Sequence, residues 1–179
     1  MYFVMEYSLS GVNRLDVDPD LGEPWLSGRP LDFVPPKPIR FQIDKSSPGA
    51  EMRAVYIGAY PLYRNDVLQC LSQAGVTNLE TFDVKLVNNI DGKVYDNYKA
   101  VNILGLIYCL DNDTGNMLEM SEDVLFDGID INEEKAAGAL LFRLAENVTA
   151  VIVHEKVVEV FERNMIPGIE FYDPAMWSG

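Results

Sequence analysis

The residues able to do chemistry in this chain are few and poorly placed for it. Its one histidine is His154. Nucleophilic catalysis needs an activated nucleophile with a base in hydrogen-bond reach, and no Gly-x-Ser-x-Gly elbow supplies one. Cys70 falls on the apolar side of a helical pattern and Cys109 in an apolar run, which suits small buried hydrophobes with inert thiols. His154 reads as a helix-start or surface residue. Zinc spacing is missing, because there is no Cys-x-x-Cys and His154-Glu155 is not followed by a second histidine. Asp111-Asn112-Asp113-Thr114-Gly115 resembles the start of a calcium loop, but Asn116 stands where an EF-hand requires glycine. It reads better as a turn that ends a strand. Phosphate-cradling glycine loops are absent as well. The expectation is a binding protein rather than an enzyme, with no catalytic residues, no metal and no cofactor. A carboxylate-based enzyme acting on a small molecule is the alternative, because an acid-rich chain brings some carboxylates together in nearly any fold.

Charge is more informative. The 179 residues hold 28 acids and 14 bases, a net charge of −14. Residues 1–89 carry 11 acids and 8 bases, whereas residues 90–179 carry 17 and 6. No basic residue lies between Lys99 and Lys135, and nine acids crowd residues 111–134: Asp111, Asp113, Glu119, Glu122, Asp123, Asp127, Asp130, Glu133 and Glu134. Such a surface repels phosphate backbones, which speaks against nucleic acid. It attracts a basic protein and speeds its encounter. These nine acids are the candidate partner-binding residues, with Met120, Leu125 and Phe126 as possible apolar anchors. The competing explanation is solubility for the acids and ordinary core packing for the three apolar residues.

The elements that must carry this surface follow from periodicity and punctuation. Composition, at 48% hydrophobic, fits a single globular domain over 1–179. No apolar run approaches the length of a spanning helix. Met1–Ser10 has no basic start or long apolar stretch, so the expectation is a cytoplasmic protein that avoids membranes. Eight of the ten prolines lie in the first 61 residues. Residues 1–50 therefore read as strand and extended loop packed on the body, with Ser10 to Pro38 mostly loop and Trp25, Leu26, Leu31, Phe33 and Val34 as pins. Strands are expected at Tyr2–Tyr7, Ile39–Ile43 and Ala54–Ile57.

Residues 54–110 form a first helix–strand unit and hairpin. Tyr63, Val67 and Leu71 line one face of a helix over Leu62–Ala74, and Gly75 ends it. A strand follows at Leu79–Val87, then an Asp91-Gly92 turn with a return strand from near Lys93. Ala100–Leu110 reads as one buried strand bulged at Gly105. Residues 111–179 hold the acidic stretch and a second helix–strand unit. Shifting residues 64–83 by 90 places Val67, Leu71, Leu79, Glu80, Phe82 and Asp83 on Val157, Phe161, Ile169, Glu170, Tyr172 and Asp173. Ala150–Val153 precedes the second helix as a strand, and Tyr56–Tyr60 is expected in the same place in the first copy. The fold class is α+β, strand-rich, with two similar strand–helix–strand units around one core.

Leu141-Phe142-Arg143-Leu144, Ala150-Val151-Ile152-Val153, the helix with Val157 and Phe161, and Ile166-Pro167-Gly168-Ile169-Glu170-Phe171 make a string with a family likeness. Tyr98 to Leu104 and the Ser-Gly-Arg-Pro-Leu turn within Trp25 to Leu31 extend it. The chain resembles the type-eleven immunity proteins of bacterial polymorphic-toxin systems, formerly a domain of unknown function. The likeness spans most of residues 25–173 and is strongest over 98–173. It implies a cytoplasmic antidote that binds and neutralises a cognate toxin by occlusion, without catalytic residues. It also implies a strand or turn at Leu141–Leu144 and a backbone kink at Gly168. The long proline-rich N-terminal segment departs from the family's pattern. A general protein-interaction module unrelated to toxins is the other alternative.

Overall fold

Alternating apolar residues build most of this α+β molecule, and two amphipathic helices fill its centre. The computed structural model describes residues 1–7, 15–18, 20–45, 52–111, 117–120, 123–126 and 128–178. In chain order they form β1 (Tyr2–Tyr7), β2 (Leu15–Asp18), β3 (Ile39–Ile43), β4 (Val55–Tyr56), β5 (Leu62–Arg64), α1 (Asn65–Gln73), β6 (Leu79–Asn88), β7 (Val94–Tyr95), β8 (Tyr98–Ile103) and β9 (Leu106–Ile107). There follow β10 (Met117–Met120), β11 (Asp123–Phe126), α2 (Glu133–Ala136), β12 (Leu141–Leu144), β13 (Val151–His154), α3 (Glu155–Asn164), β14 (Ile169–Tyr172) and a 3₁₀ turn at Pro174–Met176. Among the described residues, no helix is long and apolar enough to cross a membrane.

Two sheets share one core. The first runs β2-β3-β6-β8-β5-β4, with β7 also paired to β6; the second runs β14-β1-β13-β12-β9. Within the first, β8 lies antiparallel between β5 and β6. Within the second, β1 lies antiparallel between β13 and β14. The segments β5-α1-β6 and β13-α3-β14 thus have the same connectivity around a central strand. That strand follows the first unit along the chain, but comes from the N-terminus in the second. Register keeps the correspondence: Glu80 faces Asn102 across β6 and β8, and Glu170 faces Glu6 across β14 and β1.

Strand alternation then sorts side chains into three layers. Met5, Tyr7, Val101 and Ile103 join Val67, Leu71, Val157 and Phe161 of the helices in the middle layer. There Tyr7 and Tyr63 share a buried hydroxyl–hydroxyl hydrogen bond of 2.9 Å, tying β1 to β5. The opposite face of the first sheet, with Phe41, Leu62, Leu86 and Ala100, is covered by Leu21 and Trp25. The opposite face of the second sheet, with Val4, Phe142 and Ile152, is covered by Ile129, Ala136 and Trp177. The proline-rich segment is therefore a lid on a sheet. Trp25 N–H donates to Ala59 at 2.8 Å, and its ring meets Tyr60 and Phe82 at 5.6 and 5.1 Å.

Three sequence expectations change. The first helix begins at Asn65, and Leu62–Arg64 is strand β5. Leu62 and Tyr63 are both buried, one in the outer layer and one in the middle layer; adjacent residues reach opposite faces in a strand but not in a helix. It is β5, not Tyr56–Tyr60, that feeds α1, and β4 covers only Val55–Tyr56. The Ala100–Leu110 run is not one bulged strand. Its β8 part pairs in the first sheet, while β9 lies parallel to β12 in the second. The chain crosses between sheets at Gly105, whose φ of +144° suits glycine. Elsewhere Tyr2–Tyr7 and Ile39–Ile43 are strands as expected, Leu141–Leu144 is a strand, and Gly75 and Gly168 take positive φ. The turn proposed at Asn112–Gly115 lies outside the described residues.

Both cysteines are buried. Burial, and then the charge of Glu146, pushes the Cys109 thiol up to about 12, and burial raises Cys70 as well. A thiolate is the reactive form, so Ellman's reagent at pH 8 is expected to find no reactive thiol in the native protein and both after denaturation. Prompt labelling of the folded chain would show these thiols to be accessible.

Candidate partner-binding surfaces

The acidic stretch starts where the second sheet's covering layer begins. Leu110 and Ile131 form an isolated antiparallel bridge, and Asp111 N–H reaches the Asp130 carbonyl at 3.4 Å. From this root rise β10 and β11, which pair with each other (Met120 opposite Asp123) and, among the described residues, with neither larger sheet. Of the nine expected acids, Glu119 and Asp123 sit on this ribbon. Met120, Leu125 and Phe126 do too, Leu125 opposite Leu118 and Phe126 opposite Met117. Asp113, Glu122 and Asp127 lie outside the described residues.

The remaining four acids gather at the root, in unequal circumstances. Asp111 Oδ1 accepts from Asn132 Nδ2 at 2.9 Å and from Lys135 Nζ at 3.2 Å. These contacts hold its carboxyl below the usual carboxylate range. Asp111 is thus partly occupied as the clamp of α2, whose N-cap Asn132 accepts from Lys135 N–H. Glu133 and Glu134 occupy the first turn of that helix and are exposed, a placement the helix dipole favours. Glu133 lies 3.3 Å from the N-terminal ammonium. Asp130 is exposed. Asp130 and Glu134 are therefore the root acids best presented to a partner. His154 caps α3, its Nδ1 accepting from Lys156 N–H at 3.3 Å, and its ring packs edge-on to Tyr2. Among the described residues no group of three or more His, Cys, Asp or Glu is arranged to hold a metal.

A second surface escaped the sequence reading. Glu6 and Glu170 stand directly opposite on β1 and β14, an arrangement that like charges make unfavourable. They line a cleft of about 440 Å³ with Tyr172, Met176 and Trp177. The Trp177 indole donates to Glu6 Oε1 at 2.7 Å, and the Tyr172 hydroxyl donates to Glu170 Oε2 at 2.5 Å. That bond and the Glu170 charge push the phenol above its ordinary range. Met176 is 80% exposed at the rim. The internal repeat already set Glu170 against Glu80, but nothing in the sequence pointed to Glu6, because β1 reaches its place only through tertiary pairing.

No family model matches the chain, and no curated protein matches it.

Proposed function

We propose that this chain is an immunity protein that binds and neutralises a cognate bacterial toxin in the cytoplasm by covering a basic surface on it. What carries the reading is the acid-rich ribbon and its root. A base-free stretch of sequence ends in exposed Asp130 and Glu134 and bears a ribbon that, among the described residues, pairs with neither larger sheet. Complementary charge raises the encounter rate, while a few buried contacts set the lifetime of the complex. The resemblance to type-eleven immunity proteins read in the sequence belongs to this same proposal.

The test is association with the product of the reading frame adjacent to this gene. Reversing Asp123, Asp127 and Asp130 to Lys is expected to slow association by about tenfold or more at low salt and to flatten its dependence on ionic strength. An unchanged on-rate would remove the ribbon from the interface. Failure of the adjacent product to bind at all would remove the toxin-neutralising reading.

A further inference from the structure

The molecule contains two versions of one site; among the described residues, an extended stretch of chain fills the first, whereas the second meets only Trp177 at one side. In the first unit the Glu80–Asn102 pair holds the covering segment. Leu31 N–H donates to Glu80 Oε2 at 3.0 Å, and Asn102 Nδ2 donates both to Glu80 Oε2 at 2.9 Å and to the Arg29 carbonyl at 2.8 Å. One acceptor and one donor, side by side, match the N–H and C=O of an extended backbone. On the same face Phe82 packs against Trp25.

In the second unit the register is the same but the chemistry is altered. Glu170 takes the place of Glu80, Glu6 that of Asn102, and Tyr172 that of Phe82, with Trp177 beside them. The donor amide has become a second carboxylate, so the pair now offers acceptors only and no longer suits a peptide carbonyl. A carboxylate has two oxygens, and the indole of Trp177 and the hydroxyl of Tyr172 occupy one on each. Two facing anions call for a ligand with several donors and a positive charge. A planar guanidinium satisfies carboxylates in pairs and also stacks on aromatic faces, which an ammonium does less well.

We propose that the Glu6–Glu170 cleft takes the arginine side chain of an extended partner segment, seated between the two carboxylates and against Tyr172 and Trp177. The segment approaches from the β14 side and the exposed Met176 rim, because Trp177 already covers β1. The inference rests on the toxin-binding reading only for the identity of the protein that supplies the arginine. A second copy of this chain is disfavoured as the occupant by its net charge of −14.

The probe is the peptide acetyl-Gly-Gly-Arg-Gly-Gly-amide, titrated into the full chain and followed by ¹H–¹⁵N NMR. The two tryptophans give separate indole signals, so Trp177 reports the cleft and Trp25 serves as the internal control. Shifts are expected at the Trp177 indole and at the amides of Glu170 and Tyr172. The citrulline peptide, which keeps the shape but loses the charge, is expected to bind at least about tenfold more weakly, and so is the arginine peptide to a Glu6→Gln/Glu170→Gln variant. That variant relieves repulsion across β1 and β14 and is expected to melt no lower than the parent, separating lost binding from lost folding. Glu133→Gln/Glu134→Gln is expected to leave the titration unchanged. Equal response to citrulline, shifts confined to the ribbon root, or no response up to about 10 mM would overturn the proposal. Concentration-dependent shifts without peptide would instead identify self-association. If the adjacent-frame product binds equally well to the Gln/Gln variant while the peptide result is negative, the cleft inference falls and the toxin reading stands. If the peptide binds but no adjacent product does, the reverse holds.

Discussion

Trp25→Ala is expected to cost about 3–5 kcal/mol, the range for truncating a large buried aromatic residue. The side chain is 2% exposed and seals the outer face of the first sheet beside Ile39, Phe41 and Leu86. Its ring meets Tyr60 and Phe82, so truncation leaves a void lined by aromatic rings. For a chain of this length the melting temperature is expected to fall by about 10 °C. Trp25→Phe is the informative companion. The indole N–H is buried without a hydrogen-bond partner, and removing an unsatisfied donor offsets part of the lost packing. It is therefore expected to lose much less than the alanine variant. Urea denaturation checks both; a loss below about 1 kcal/mol for Trp25→Ala would show that the proline-rich segment is not integral to the core.

Gly28→Ala carries the second large effect, from a different cause. Gly28 has a φ of +67°, and an added Cβ would sit 2.7 Å from Leu106 Cβ, 2.8 Å from Leu106 N and 2.9 Å from Gly105 C. Two of those atoms are backbone. They cannot withdraw without loosening the 2.9 Å hydrogen bond from Gly105 N–H to the Gly28 carbonyl. That bond fastens the covering segment to the point where the chain passes from one sheet to the other. The left-handed conformation costs a side-chain-bearing residue about 1–2 kcal/mol, and forced packing adds about 1–3 kcal/mol. Gly22→Ala supplies the control, because its φ is +80° but nothing lies within 4 Å of the added carbon. The difference between the two variants in urea isolates the clash. Equal losses would mean that the Gly28–Leu106 contact yields freely.

Both predictions concern a segment whose composition announced a loop and whose pins were partly legible. Trp25 is fully buried as expected, whereas Phe33 and Val34 are 41% and 83% exposed. Proline content reveals that a stretch is extended, but not which of its apolar residues meets a sheet. The candidate surfaces divide similarly. The acid-rich stretch was visible in the sequence as a run without bases. That Asp111 serves as a clamp for Lys135 while Asp130 stands open depends on a helix cap and a bridge that composition does not encode. The Glu6–Glu170 pair was invisible, since the two residues are brought together only when β1 enters between β13 and β14.

By itself the sequence determined what is local. Helix faces follow from spacing of three and four, the end of the first helix from Gly75, the repeat from matched spacing, and the negative field from a count of side chains. Tertiary structure decided what is relational. It made Leu62–Arg64 a strand, divided the apolar run at Gly105 between two sheets, and drew the N-terminal strand into the second unit. The physical reason is that a strand's alternation specifies its two faces but not its neighbours. Partners are chosen by which distant surfaces can be buried together, and that choice exists only in the assembled core.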